Sequence, residues 1–187
     1  AGARLGADVS LVSGRSAEAV PPGVATVHVE TARDMLGASI GALPVDVAIC
    51  AAAVSDWRPE STHGHKLKRN QAAPSPTDLA LVENPDILAT LAARKNDRPE
   101  LVIGFAAETD DVIANARAKL ALKGCDWILA NDVSPETGTF GGDHNKINLL
   151  TRGVDSGARI EEWPHARKLD IAARLAERIA RALGASA

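Results

Sequence analysis

Apolar and polar positions along this chain fall into blocks whose period switches repeatedly between that of a strand and that of a helix. Asp8 to Ser13 (DVSLVS) predicts a buried strand, and Val24 to Val29 alternates apolar and polar side chains as a second strand. Thr31, a good capping residue, precedes a helical pattern through Met35, Leu36 and Ile40 to Leu43, and Val45 to Ala53 is a third strand that ends in small residues. Ser55, Asp56 and Pro59 read as a turn, and Asp78 to Val82 as a short apolar segment. Asn84 reads as the cap of a helix with Pro85 at its first position, Asp86 in its first turn, and Ile87, Leu88 and Leu91 on its buried face. Leu101 to Ala107 (LVIGFAA) is almost continuously apolar, as expected of a parallel strand covered on both sides.

Thr109 or Asp110 caps the next predicted helix, which stops at Gly124. Cys125 to Ala130 (CDWILA) is another buried strand, leading into an Asn131–Asp132 loop and the glycine-rich turn Gly138 to Asn145. Ile147 to Thr151 and Arg159 to Trp163 form a hairpin about Gly153 to Gly157, and Leu169, Ala172, Leu175, Ile179 and Leu183 mark a final helix. Strands and helices alternate through most of the chain. The pattern predicts a three-layer α/β fold, Rossmann-like, with a mostly parallel sheet and a small antiparallel addition late. Ala1 to Gly6 reads as the tail of a helix. Nucleotide-binding α/β folds open on a strand and a glycine-rich turn, so the expectation is one domain over residues 1–187 lacking those two features.

The length suits one domain with a real core. A formal net charge of −3 gives no bulk reason to expect nucleic acid or an anionic membrane as partner. Without a long apolar run or a signal-peptide pattern, the expected location is the cytoplasm. Cys50 and Cys125, each in an apolar strand-like segment, read as buried free thiols.

In an open α/β sheet, ligands bind beyond the carboxyl ends of strands, which directs attention to Cys50 to Arg69 (CAAAVSDWRPESTHGHKLKR). It runs from a strand end through the carboxylate Asp56 to the basic cluster Lys66, Lys68 and Arg69, a reasonable site for nucleotide phosphates. Lys119 and Lys123, four apart, share one helical face. Taken singly, these residues are also ordinary turn formers and solvated charges. His63, His65 and His144 lack the second pair that a zinc site needs, and neither G-x-G-x-x-G nor a Walker lysine is present.

Four blocks in order, AAAVSDWRP (Ala51 to Pro59), KLKR (Lys66 to Arg69), ENPDIL (Glu83 to Leu88) and GFAAET (Gly104 to Thr109), are followed by AND (Ala130 to Asp132) and FGGDHN (Phe140 to Asn145). Together they resemble the phosphopantothenoylcysteine synthetases of bacterial coenzyme A biosynthesis, over almost the whole chain. The resemblance implies a homodimeric ligase that joins 4'-phosphopantothenate to cysteine with CTP and Mg2+ through an acyl-cytidylate, often fused to a flavin-dependent decarboxylase. It implies nucleotide contacts at Cys50, Ala51, Ala52, Asp56, Pro85, Asp86, Ile87, Leu88, Phe105, Lys119 and Lys123. Lys66 is implied as phosphate contact and catalytic residue, and no metal ligand is identified. Lys68, Arg69, Asn131 and Asp143 fall within the blocks without a role. The family's glycine-rich first turn, and an asparagine that handles the acyl-cytidylate, belong before Ala1. Two other readings compete: a CTP-binding and dimerising module without turnover, and an NAD(P)-dependent oxidoreductase resting on fold analogy alone.

Overall fold

A 3-10 turn over Gly2–Leu5 opens the computed structural model and stops at Gly6, whose φ of 86° is the left-handed conformation that glycine adopts without strain. The structure describes residues 1–16, 18–61, 79–137, 139, 142–153 and 157–184. Two parallel strands follow, β1 (Ser10–Ser13) and β2 (Ala25–His28), paired from Ser10↔Ala25 to Ser13↔His28. The expected burial of the first is not met. Its residues are exposed or half-buried, because among the described residues the two strands form a sheet of their own rather than a layer inside the main one.

Helix α1 (Ala32–Gly41) starts where predicted, at a reciprocal capping box in which Thr31 Oγ1 accepts from the Asp34 amide at 3.1 Å and the Asp34 carboxylate accepts from the Thr31 amide at 3.2 Å. β3 (Val47–Cys50) then enters the main sheet beside β6 (Leu101–Glu108), followed by β7 (Trp127–Asp132), β8 (His144–Arg152) and β9 (Ala158–Arg167), in the order β3-β6-β7-β8-β9. β3, β6 and β7 are parallel; β8 and β9 are antiparallel additions. A separate antiparallel ribbon joins β4 (Trp57–Pro59) to β5 (Leu81–Glu83). The α/β class with a mainly parallel core and an antiparallel addition is therefore as expected.

Successive side chains of β6 point to opposite faces, and each face has its own core. On one, Val102 and Ala106 pack with Ile128, Ala130 and Leu150 beneath α2 (Ile87–Ala92) and α3 (Val112–Lys123), through Leu88, Ala92, Ala116 and Leu120. On the other, Leu101 and Ile103 pack with Trp127, Leu129, Ile147, Leu149 and Trp163 beneath α4 (Lys168–Ala182). The α4 seam runs through Ile171, Leu175 and Ile179, while Leu169, expected on it, is 72% exposed.

Three further expectations give way to long-range pairing. Pro59 lies at the end of β4, where its ring faces no demand for an N–H donor. Asn131 and Asp132, expected in a loop, extend β7 because they pair with Ala107 and Glu108 of β6. The α3 cap is Asp111, at φ 43° and without a side-chain capping bond, rather than Thr109 or Asp110, since β6 continues through Glu108. No helix among the described residues is long and apolar enough to cross a membrane.

Candidate functional site

Beyond Cys50 at the end of β3 the chain crosses to the β4–β5 ribbon, and Asn84 fastens the two ends of that crossing together. Its amide donates to Asp56 O at 2.7 Å and its side-chain Nδ2 to Ser55 O at 2.8 Å, while the Arg58 guanidinium donates to Glu83 O. Asn84 is thus a clip and not the predicted helix cap. Its polar groups are already committed, and the proline after it disfavours a helical backbone there. The cap is Asp86, two residues on, whose Oδ1 accepts from the Ala89 amide at 2.9 Å.

α2 is pressed onto the sheet by Leu88, which is 8% exposed. The contact depends on Gly104: a Cβ there would lie 2.5 Å from Leu88 Cδ2 and 2.9 Å from Ile128 Cδ1. A glycine inside an apolar strand is the sequence sign of such a close approach. This seat fixes where Asp86 stands.

α3 brings its lysines to the same place. Lys123 Nζ, in the last turn before Gly124, donates to Asp86 Oδ2, and the two side chains are 27% and 40% exposed. Burial raises the Asp86 carboxyl, but the Ala89 amide, the Lys123 hydrogen bond and charge, and the Lys119 charge outweigh it and hold the group below the usual carboxylate range. Cys50 feels the same charge from behind. Burial first, then the negative Asp86, push its thiol up to about 11. Cys50, Asp86, Lys119 and Lys123, from β3, the start of α2 and the end of α3, therefore share one local field.

The other expected residues are distributed around this group. Ala51, Ala52 and Asp56 are exposed in the crossing, with Val54 N donating to Ala52 O at 3.1 Å. Pro85 and Ile87 are half-buried on either side of the capping carboxylate. Phe105, like Val47, Ala166 and Ile179, packs against the α4-side core, on the opposite face of β6 from Leu88. Lys66, Lys68, Arg69, His63 and His65 lie outside the described residues. Asn131 is 7% exposed at the end of β7, and Asp143 O accepts the Lys168 amide at 2.8 Å. Among the described residues no three His, Cys, Asp or Glu side chains converge on a metal-sized site. Sequence reasoning missed Asn84 as a clip and Gly104 as a seat. The first gave no sign, because its partner lies across a 29-residue separation.

Comparison with known proteins adds an independent line. Residues 1–183 match the family model described as DNA/pantothenate metabolism flavoprotein C-terminal domain. The coenzyme A biosynthesis bifunctional protein CoaBC of Vibrio parahaemolyticus is 44% identical over 151 residues, which cover 80% of this chain and 37% of that protein. That of Escherichia coli strain K12 is 40% identical over 162 residues, 86% of this chain and 40% of the relative. A crystal structure of the C-terminal domain of such a CoaBC protein superposes with a TM-score of 0.74 at 35% identity, covering 99% of this chain and 81% of that one. The chain spans about two-fifths of the length of these two relatives.

Proposed function

The chain belongs to the DNA/pantothenate metabolism flavoprotein C-terminal domain family, and on that premise we propose that it is the synthetase part of a coenzyme A biosynthesis enzyme: a ligase that joins 4'-phosphopantothenate to L-cysteine at the expense of CTP. The observation that carries the reading is the group beside the end of β3, where Lys123 of α3 pairs with the capping carboxylate of α2 and Lys119 adds its charge, near Cys50. Fixed ammonium groups beside the end of β3 suit a polyphosphate ligand.

The chemistry explains why such groups are needed. A carboxylate is a poor acyl donor, since its leaving group would be oxide. Its attack on the α-phosphate of CTP expels pyrophosphate and forms an acyl-cytidylate, whose carbonyl the cysteine amine then attacks, releasing CMP and leaving the amide. Negative charge grows first on phosphate oxygens and then on the carbonyl oxygen, and nearby cations lower both barriers. Lys119 and Lys123 stand on the helix-covered side for the phosphates, and Lys66 is assigned to the same charge by its motif. Ala51 and Ala52 leave the backbone open to the nucleotide.

Magnesium enters this reading as a cation carried on the triphosphate. Such an ion needs only one or two protein carboxylates, and Asp56, exposed and free of side-chain bonds among the described residues, is the acidic group suited to it. When bound, the ion would neutralise phosphate charge. The remainder of a bifunctional protein would carry the flavin-dependent decarboxylase, and a cytoplasmic homodimer is part of the same proposal.

The test is direct. Protein with magnesium, CTP, 4'-phosphopantothenate and cysteine should release CMP and pyrophosphate, measured by chromatography. Release with ATP but not CTP would reject the assignment. Lys66→Gln should lower kcat by roughly 10²- to 10³-fold, as expected for loss of one transition-state donor.

A further inference from the structure

Both oxygens of the Asp86 carboxylate are engaged before any ligand arrives. Oδ1 accepts the Ala89 amide at 2.9 Å and Oδ2 accepts the Lys123 ammonium, so one side chain joins the start of α2 to the last turn of α3. The backbone carbonyl of Asp86 is engaged as well, by the Thr90 amide at 2.9 Å and the Thr90 hydroxyl at 2.6 Å. The residue is therefore anchored on its own helix, and α2 is anchored by Leu88 in the Gly104 gap. An ammonium has three donors. Lys123 commits one to Asp86, and among the described residues no other bond to it is seen, leaving two that can point outward. Lys119, one turn earlier, carries the same sign of charge, and like charges four residues apart repel. The Asp86 carboxylate, which feels the charge of both lysines, offsets that repulsion.

We propose that Asp86 is a positioning residue of the nucleotide site: its carboxylate holds Lys123, and by charge Lys119, in place at the edge of the sheet, so that the lysines and not Asp86 itself meet the anionic ligand. The inference rests on the nucleotide-binding reading above and changes the part Asp86 plays in it. A surface ion pair alone contributes little to folding. The capping bond and the ion pair can also be separated chemically, because asparagine caps a helix about as well as aspartate but carries no charge.

Two variants make the separation. Asp86→Asn keeps the cap and removes the charge; Asp86→Glu keeps the charge on a longer arm that fits the cap poorly. Asp86→Asn should raise the CTP dissociation constant, measured by calorimetry, by about tenfold, equivalent to one lost charge-assisted hydrogen bond. Its Tm should fall by less than that of Asp86→Glu, for which about 2–4 °C is expected. Asp86→Glu should bind CTP within about threefold of wild type, since the charge remains. Wild-type CTP affinity in Asp86→Asn, or affinity that follows Tm across the two variants, would overturn the proposal. A second readout needs no nucleotide. The Lys123 ammonium should give a hydrogen-bonded ¹⁵N–¹H signal in the ligand-free protein, identified by its loss in Lys123→Arg, and that signal should vanish in Asp86→Asn. Its persistence there would refute the holding role. If wild type itself fails to bind CTP, the functional reading falls, and the Lys123 signal still decides whether Asp86 positions the lysine.

Discussion

Gly104 contributes no side chain, and its absence there is what lets α2 sit on the sheet. Restoring a methyl group would drive it against Leu88 Cδ2 and Ile128 Cδ1, both of which are already enclosed. Gly104→Ala should therefore cost about 1–3 kcal/mol, the usual range for overpacking a filled core. Because Leu88 is two residues from Asp86, the same variant should also weaken CTP binding, whereas a merely destabilising change elsewhere in the core would not. Urea unfolding and calorimetry on the one variant check both halves. At this scale the glycine was visible in the sequence as an interruption of an apolar run, but its partner was not. A glycine can make room for a helix, another strand or a ligand, and only the position of Leu88 chooses among them.

Elements report a different balance. α1 could be read directly: Thr31 and Asp34 stand three apart, and the resulting box closes within four residues of chain. Thr31→Ala should cost about 1 kcal/mol in urea unfolding and leave CTP affinity unchanged, because α1 contributes no residue to the strand-end group. α2 was misread at its cap for an equally local reason. Asn84 and Asp86 are both competent caps by residue type, and what removes Asn84 from the choice is a clip to Ser55 and Asp56 made far along the chain. The lysine face of α3 follows from helical geometry alone, since a separation of four residues is close to one turn. What that face meets is an acid 37 residues away from Lys123.

For the whole molecule, the two thiols give a measurable signature. Cys50 and Cys125 are both pushed up to about 11 from a reference of 9.0, mainly by burial. A thiol raised in the folded state favours the folded state while it stays protonated. The contribution is complete below about pH 9 and is lost as pH rises through about 11. Unfolding free energy should thus decline over that alkaline window, and a Cys50→Ala, Cys125→Ala double variant should show a shallower decline in urea titrations at successive pH values. The native thiols should also react slowly with a disulfide reagent near neutral pH and quickly once the chain is unfolded.

The sequence by itself determined the alternation of strands and helices, the near-continuous apolar run that became β6, and the shared face of Lys119 and Lys123, because each follows from backbone periodicity over a few residues. Tertiary structure alone decided that β7 extends through Asn131 and Asp132, that Phe105 faces the α4-side core while Leu88 faces the other, and that Asp86 rather than Asn84 caps α2 and holds Lys123. Those outcomes depend on which strand lies beside which and how deeply one helix seats on another. Side-chain spacing within a segment carries the period of that segment, but not the identity of the neighbour that its exposed bonds and charges will find.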